Sequence, residues 1–413
     1  MNHFTVREGE LNAEAVPLTQ IAREVGTPTY VYSTATLLRH LQVVQAAFAS
    51  RPTVLCYSVK ACSNLAVLKL YASHGSGFDI VSGGELSRVL YVGGDPRKVV
   101  FAGVGKTEAE MEAALNAGIL MFNVESAEEL ELLDRVGRRL KVRAPFALRV
   151  NPEVDAKTHR YIATGLKTSK FGVPFEEAAA LYRRSRRMKG LLARGLDCHI
   201  GSQLTDARPL KQAISKVAAL YRELRVQGLP LTHLDVGGGL GVTYSIESPP
   251  TLEAYAAAVQ QSLGELDATL VLEPGRVLVA NAGVLLTRVL YRKKTQARQF
   301  VIVDAGMNDL LRPALYEAHH EIRAVVPRRG RAVTVDVVGP VCESSDVLGS
   351  QRLLPPVRAG DCLAVMTAGA YGMSMASTYN SRPRAAEVLV DGERFRVVRR
   401  RETIGDLWRG ETP

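Results

Sequence analysis

The sequence predicts an α/β protein, a closed parallel (β/α)8 barrel of the TIM type joined to a mostly antiparallel β domain. Two features of the pattern predict it. Short apolar runs alternate with longer amphipathic stretches from residue 54 to residue 276, the pattern of parallel strands joined by helical crossovers. After Arg276 the texture changes to β-branched runs broken by Gly, Pro and Asp, with no long amphipathic stretch between them. A third observation sets the scale: 413 residues with 46% hydrophobic content suffice for two to three domains with buried cores.

In chain order, the N-terminal run NHFTVREGEL is strand-like and adds to the β domain, and a turn follows at Pro28. Eight barrel strands are expected at VLCYSV from Val54, FDIV from Phe78, VVFAG from Val99, MFNV from Met121, FALRV from Phe146, GLDCHI from Gly195, HLDVGG from His233 and LVLEPG from Leu270. Between them, segments such as TEAEMEAALNAG, AEELELLDRVGRRL, LKQAISKVAALYREL and LEAYAAAVQQSLG repeat apolar residues at three- and four-residue spacing and read as helices. Eight strand–helix repeats in about 220 residues fit a closed barrel better than an open doubly wound sheet. The runs VLLTRVLY, FVIVDAG, AVTVDVVGP, DCLAVMTAGAYG and AEVLVDGERFRVV supply the strands of the β domain. The expected division is a barrel over 28–277 and a β domain formed by 1–27 and 278–413.

Composition excludes several classes. Charged residues at 23% and aromatic residues at 6% are ordinary globular values, which argues against disorder and against a disulfide-stapled miniprotein. No run approaches eighteen apolar residues and the start MNHFTVREGE has no signal pattern, so a cytoplasmic protein without a membrane segment is expected. The net charge of +10 is scattered, with short clusters at 183–187, 328–331 and 399–401, and reads as a solvated basic surface that favours anionic substrates, with no nucleic-acid partner. Cys56, Cys62, Cys198, Cys342 and Cys362 are widely spaced without a CxxC pair and read as free thiols, with no metal site.

Barrels of this type gather reactive groups at the carboxyl ends of their strands. Those ends carry Lys60; Asp79 followed by Ser82, Gly83 and Gly84; Arg149 and Asn151; His199, Gly201 and Ser202; Gly237, Gly238 and Gly239; and Glu273, Gly275 and Arg276. A lysine desolvated in a barrel mouth near other cations has a depressed pKa and a free amine that condenses with a carbonyl; the bland alternative is a lysine reaching to solvent. The glycine run DVGGGLG offers open backbone N–H groups as an anion cradle, although such a run is also an ordinary tight turn. Together they suggest a phosphorylated carbonyl compound, a sugar phosphate or pyridoxal phosphate. Glu273 favours the second, because that cofactor needs a carboxylate at its ring nitrogen and a sugar phosphate does not. His199 is placed to stack on a flat ring, and Arg149 to reach its phenolic oxygen.

With these residues in hand, the chain resembles the diaminopimelate decarboxylase family of pyridoxal-phosphate enzymes, whose barrel-plus-β-domain architecture is shared with ornithine and arginine decarboxylases and with alanine racemase. The resemblance extends from TPTYVY at Thr27 to RRRET at Arg399. It rests on YSVKACSN at Tyr57, GFDIVSGGEL at Gly77, HRYIATGLKTSKFG at His159, CHIGSQ at Cys198, DVGGGLG at Asp235, EPGR at Glu273, VDAGMNDLLRPALY at Val303, GPVCESSD at Gly339 and AGAYGMSMASTYNSRPRAAEV at Ala368. Two positions depart from the family pattern: Ser58 and Cys62 stand where alanine and asparagine are usual beside the lysine.

The resemblance implies Lys60, His199 and Cys342 as catalytic residues. It implies pyridoxal 5'-phosphate bound by Lys60, Asp79, Arg149, His199, Ser202, Gly238, Gly239, Glu273, Gly275, Arg276 and Tyr371. Substrate falls to Arg276, Arg312, Tyr316, Glu343 and Tyr371, with Cys342 and Glu343 arriving from the second subunit of a homodimer. The implied reaction is decarboxylation of meso-2,6-diaminopimelate to L-lysine and CO2, with Cys342 or the Lys60 amine returning the proton. Charge agrees with that substrate: its far end is itself an amino acid, so Arg276 and Arg312 answer the carboxylate and Glu343 the ammonium. A purely cationic far end would face two guanidinium groups. A decarboxylase of another diamino acid, a racemase and a non-enzymatic pyridoxal-phosphate carrier are the alternatives.

Overall fold

The computed structural model describes residues 2–155 and 169–413. Residues 159–168 of the HRYIATGLKTSKFG block lie outside the described residues. The chain forms two compact units, one from Leu41–Val242 and Ser248–Arg276, the other from Met1–His40, Thr243–Glu247 and Val277–Pro413.

The first unit is a closed parallel barrel. Its strands are Thr53–Ser58, Gly77–Ile80, Val99–Phe101, Met121–Val124, Ala144–Asn151, Leu191–Asp197, His233–Asp235 and Thr269–Leu272, and each pairs in parallel with the next. The eighth returns to the first through Leu270 with Thr53, Val271 with Val54 and Leu272 with Leu55, which closes the ring. Each of the eight expected strands is present. Five of the intervening helices begin on a side chain that caps their free N–H groups, Asn64, Ser82, Thr107, Ser126 and Thr251, and Thr107 forms a reciprocal capping box with Glu110. Inside the ring, Cys56, Val100, Leu120, Met121, Ala147 and Val271 form an apolar cluster. Nearer the carboxyl ends the interior turns polar, with Asp79, Asn123, Arg149, Asp197 and Asp235 all buried.

The second unit is a mostly antiparallel β assembly. Its main sheet runs Val347–Leu354, Val333–Val338, Gln299–Val303, Gly283–Lys294, Thr29–Ser33, Ala386–Asp391, Arg394–Arg399, with Cys362–Val365 and Ile322–Ala324 branching from Gly283–Lys294. Two pairings are parallel, Gln299–Val303 with Val333–Val338 and Ala386–Asp391 with Thr29–Ser33. The N-terminal run forms a small antiparallel sheet of Phe4–Arg7, Glu10–Ala13 and Val16–Pro17, as its strand-like pattern suggested. Phe4, Leu11, Ile21, Val31, Val284, Leu286, Val388 and Val390 share one core with it. Each such side chain contributes about 1.5–3 kcal/mol on burial.

The expected boundary at residue 28 needs correction, since the β unit keeps the chain through His40. All five residues of Thr29–Ser33 are buried, and the strand sits between Gly283–Lys294 and Ala386–Asp391 at the centre of the sheet. A strand covered on both faces shows no alternation, and its partners lie far away in sequence, so the local pattern carries no sign of which sheet it joins. A second correction concerns Thr243–Glu247, which follows the seventh barrel strand in sequence and groups with the β unit.

Candidate active site

Strand register assembles the polar end of the barrel. Arg149, Asp197 and Asp235 are successive cross-strand partners on the fifth, sixth and seventh strands, and Ser58 pairs with Asp79 on the first and second. Partners on adjacent strands share a face, so the row projects its charges together.

Lys60 leaves the first strand on the turn Val59–Ala61. Its Nζ donates to Asp79 Oδ2 at 2.5 Å; the Asp79 side chain is fully buried and that of Lys60 is 40% exposed. Ser58 Oγ donates to the same carboxylate oxygen at 2.7 Å and lies 3.1 Å from the Glu273 carbonyl. The unusual serine beside the lysine therefore braces Asp79. Asp79 Oδ1 is buried with no hydrogen-bond partner among the described residues. Cys62, the other departure, is buried, and its carbonyl accepts from the Tyr57 hydroxyl.

Glu273 follows the eighth strand and faces a cluster of buried acids. Asn123 Nδ2 donates to Asp235 Oδ2 at 3.0 Å and to Glu273 Oε1 at 3.1 Å, bridging the two carboxyl groups. Burial, then repulsion from Asp235 and Asp79, pushes the Glu273 carboxyl well above its usual range, with Lys60 and Arg149 opposing. Burial and Asp197 push Asp235 the same way. Two carboxylates this close cannot both ionise cheaply, so the pair favours keeping a proton between them. Arg149 is held by Glu125, whose Oε1 accepts from its Nη1 at 3.2 Å, and its guanidinium lies 4.8 Å from the Phe171 ring centre. Glu125 also ties Gly103 and Gly172 through their N–H groups, each at 3.0 Å.

The glycine triplet is less open than its sequence suggested. Gly237 N–H donates to Asp235 at 2.9 Å and Gly238 N–H to His199 Nδ1 at 3.2 Å, which leaves Gly239 as the triplet member whose N–H has no partner among the described residues. Glycine is nevertheless required. A Cβ on Gly238 would stand 2.3 Å from the Glu273 carbonyl oxygen, and one on Gly237, at φ +66°, 2.4 Å from His199 Nδ1. Burial, with Arg149 and Lys60 nearby, drives the His199 pKa well below its ordinary value, so the ring is neutral and Nδ1 is its acceptor. Arg276, buried, donates through Nη2 to Ser202 Oγ at 3.0 Å, and Gly275 lies against Ser58 so closely that a Cβ would come within 2.9 Å.

Thus Lys60, Asp79, Arg149, His199 and Glu273 form one electrostatic neighbourhood, with Ser202 and Arg276 paired beside it in the chain's barrel unit. The remaining candidates belong to the β unit. Arg312 opens the short helix Arg312–Tyr316, which ends on Tyr316. Its guanidinium carbon lies 4.3 Å from the centre of the Tyr244 ring, and its Nη1 lies 3.0 Å from His320 Nε2. Cys342 and Glu343 share an exposed loop, where Asn380 accepts from the Cys342 N–H at 2.8 Å and Glu343 accepts from the Tyr379 hydroxyl. Tyr371 has φ +55°, a left-handed conformation that costs a tyrosine on the order of 1 kcal/mol and marks a constrained position. Sequence reasoning missed Asn123, Glu125, Asp197, Asp235, Tyr244 and His320. A signal existed for Asn123 and Asp235, since each is a polar residue inside an otherwise apolar strand.

A family model described as the pyridoxal binding domain of pyridoxal-dependent decarboxylases matches residues 34–280. Diaminopimelate decarboxylase of Pseudomonas aeruginosa is 53% identical over 412 residues, covering 100% of this chain and 99% of the relative. The crystal structure of diaminopimelate decarboxylase from Helicobacter pylori complexed with L-lysine superposes with a TM-score of 0.92 at 44% identity, covering 95% of this chain and 98% of that one. The crystal structure of diaminopimelate decarboxylase from M. jannaschii in co-complex with L-lysine gives a TM-score of 0.95 at 37% identity, covering 100% of this chain and 99% of that one.

Proposed function

Because the chain belongs to the pyridoxal-dependent decarboxylases and, within them, to the diaminopimelate decarboxylases, we propose that it removes one carboxylate of meso-2,6-diaminopimelate as CO2 and leaves L-lysine, the last step of lysine biosynthesis. The observation that carries the reading is the Lys60 amine held on Asp79 in the same buried electrostatic neighbourhood as Glu273. An amine that bonds a carbonyl and a carboxyl group that meets a ring nitrogen are the two groups pyridoxal phosphate requires of its protein.

The donor set fits that cofactor. The orphan oxygen of Asp79 lies beside the amine, the Gly239 N–H has no partner among the described residues and is a donor suited to a phosphate, and Ser202 with Arg276 adds a hydroxyl and a cation. When bound, pyridoxal phosphate supplies a ring that takes up the electron pair left as CO2 departs. The chain's part is to hold and orient. Lys60 makes the covalent attachment and Asp79 aims its amine. Glu273, steadied by Asn123 and Asp235, holds the proton at the ring nitrogen. Neutral His199 covers the ring face without adding charge, Arg149 meets the phenolic oxygen, and Gly238, Gly239, Gly275 and Tyr371 line the phosphate.

For the substrate, Arg276 and Arg312 receive the distal carboxylate, Glu343 the distal ammonium, and Tyr316 and Tyr371 complete the recognition. We assign the working form to a cytoplasmic homodimer in which Cys342 and Glu343 serve the partner subunit's site. Their exposure in the single chain supports this assignment. Cys342 Sγ and Lys60 Nζ are the two candidates for returning the proton. The test is CO2 release and L-lysine formation from meso-diaminopimelate by the cofactor-loaded protein. Lys60→Ala is expected to abolish both, along with borohydride-stable attachment of the cofactor; full turnover by that variant would end the assignment.

A further inference from the structure

We propose that Tyr244 and His320 are specificity-determining positioning residues, which hold the Arg312 guanidinium as a receptor for a carboxylate and so select a ligand with an amino-acid far end. The proposal rests on the functional reading above and assigns two residues to which that reading gives no role.

Arg312 is only 5% exposed, and a guanidinium taken out of water must have its faces and N–H groups met by the protein. The Tyr244 ring covers one face at 4.3 Å, within the range of a cation–π contact. His320 meets an edge, with Nε2 at 3.0 Å from Arg312 Nη1, and packs edge-on against Tyr244 with ring centres 5.3 Å apart. The three side chains therefore brace one another. His320 Nδ1 lies 2.9 Å from the Met366 carbonyl, an acceptor only, which fixes the proton on Nδ1 and leaves Nε2 to accept from the arginine. Burial and Arg312 together lower the His320 pKa to about 3, so the imidazole is neutral at physiological pH.

That neutrality decides the chemistry. A carboxylate at the same position would hold Arg312 equally well while cancelling its charge. A neutral imidazole and an aromatic face fix the fork and preserve its positive charge for an anionic ligand. Tyr244 is itself anchored: His319 Nδ1 lies 3.0 Å from its carbonyl, and the Glu247 carboxylate accepts from its N–H at 3.1 Å and from that of Ser245 at 2.7 Å. The segment Thr243–Glu247 thus leaves the barrel's chain order to serve the arginine.

The experiment uses the cofactor-loaded enzyme with His320→Leu, His320→Gln, Tyr244→Leu and Tyr244→Phe. Two competing ligands are compared, L-lysine, which retains a carboxylate, and 1,5-diaminopentane, which lacks one. In both leucine variants, KM for meso-diaminopimelate and Ki for L-lysine are expected to rise about tenfold or more, with kcat within about threefold and Ki for 1,5-diaminopentane unchanged. Tyr244→Phe keeps the ring and His320→Gln keeps an acceptor, so each is expected to stay within about threefold of wild type. Cofactor absorbance and thermal midpoint identify a misfolded variant, and the other position then decides. Unchanged lysine affinity in a folded leucine variant overturns the proposal, as does an equal loss of both ligands. If the wild type itself releases no CO2 from meso-diaminopimelate, the functional reading fails and this inference falls with it.

Discussion

Lys60 and Asp79 are joined by a 2.5 Å hydrogen bond from an amine at the barrel mouth to a carboxylate buried within it. The bond fixes where the amine points. Asp79→Asn keeps the size and removes the charge, and a charge-assisted hydrogen bond is worth about 1.5–3 kcal/mol, so kcat/KM is expected to fall about 10- to 100-fold. The rate at which borohydride traps the cofactor on Lys60 should fall in parallel; an unchanged trapping rate would show that Asp79 does not orient the amine.

The Asp235 and Glu273 carboxyl groups make the cofactor-free chain sensitive to alkali. Both have folded pKa values raised by burial and by their neighbours. The folded state therefore binds more protons than the unfolded chain, and the stability this provides is present below the usual carboxylate pKa of about 4 and is lost as pH rises toward the raised folded values. After cofactor removal with hydroxylamine, the thermal midpoint of the wild type is expected to fall as pH is raised above the ordinary carboxylate range. Asp235→Asn removes one acid and its repulsion, so that variant should fall less; matching curves would contradict a shared proton.

Gly238 tests the tight turn after the seventh strand. An alanine there would place a methyl 2.3 Å from the Glu273 carbonyl oxygen, a backbone atom with little freedom to withdraw. Such overpacking typically costs about 1–3 kcal/mol, and its strain falls directly on the backbone of Glu273 and Pro274. Gly238→Ala is expected to weaken cofactor retention about tenfold or more, read by fluorescence after dialysis, with the far-ultraviolet circular dichroism unchanged.

His320 should govern part of the acid limb of stability. Its folded pKa of about 3 lies below the ordinary value near 6.5, with Arg312, His319 and Arg352 as the neighbouring cationic groups. The unfolded chain takes up a proton that the folded chain refuses, so stability declines as pH falls below about 6.5, by about 2 kcal/mol from this residue at pH 5. Urea midpoints of wild type and His320→Gln at one protein concentration should converge by that amount between pH 7 and pH 5. A constant gap would mean that His320 is protonated in the folded state.

Much of this architecture was legible in the residues. The eight barrel strands fell where apolar runs alternate with amphipathic stretches, because each strand's helix follows it directly and the pattern is local. Thr29–Ser33 was misassigned because its neighbours in the sheet begin at Gly283 and Ala386, and nothing in TYVYS distinguishes a barrel strand from a central strand of another sheet. At the site, Lys60 and Glu273 stood out at strand ends, whereas Asn123 gained meaning only when register placed its amide between Asp235 and Glu273. Tyr244 and His320 are remote in sequence, and their joint hold on Arg312 exists only in three dimensions.

The central position of Thr29–Ser33 also dictates an order of assembly on the ribosome. This strand emerges early, yet its first neighbour begins about 250 residues later, at Gly283, and its second only at Ala386. At about 5–20 residues per second of translation, the nascent segment waits on the order of 10–50 seconds with its apolar side chains unsatisfied, while every strand of the barrel is made in that interval. The barrel is thus the part able to fold during synthesis, and the early segment is where a trigger-type chaperone would be needed most.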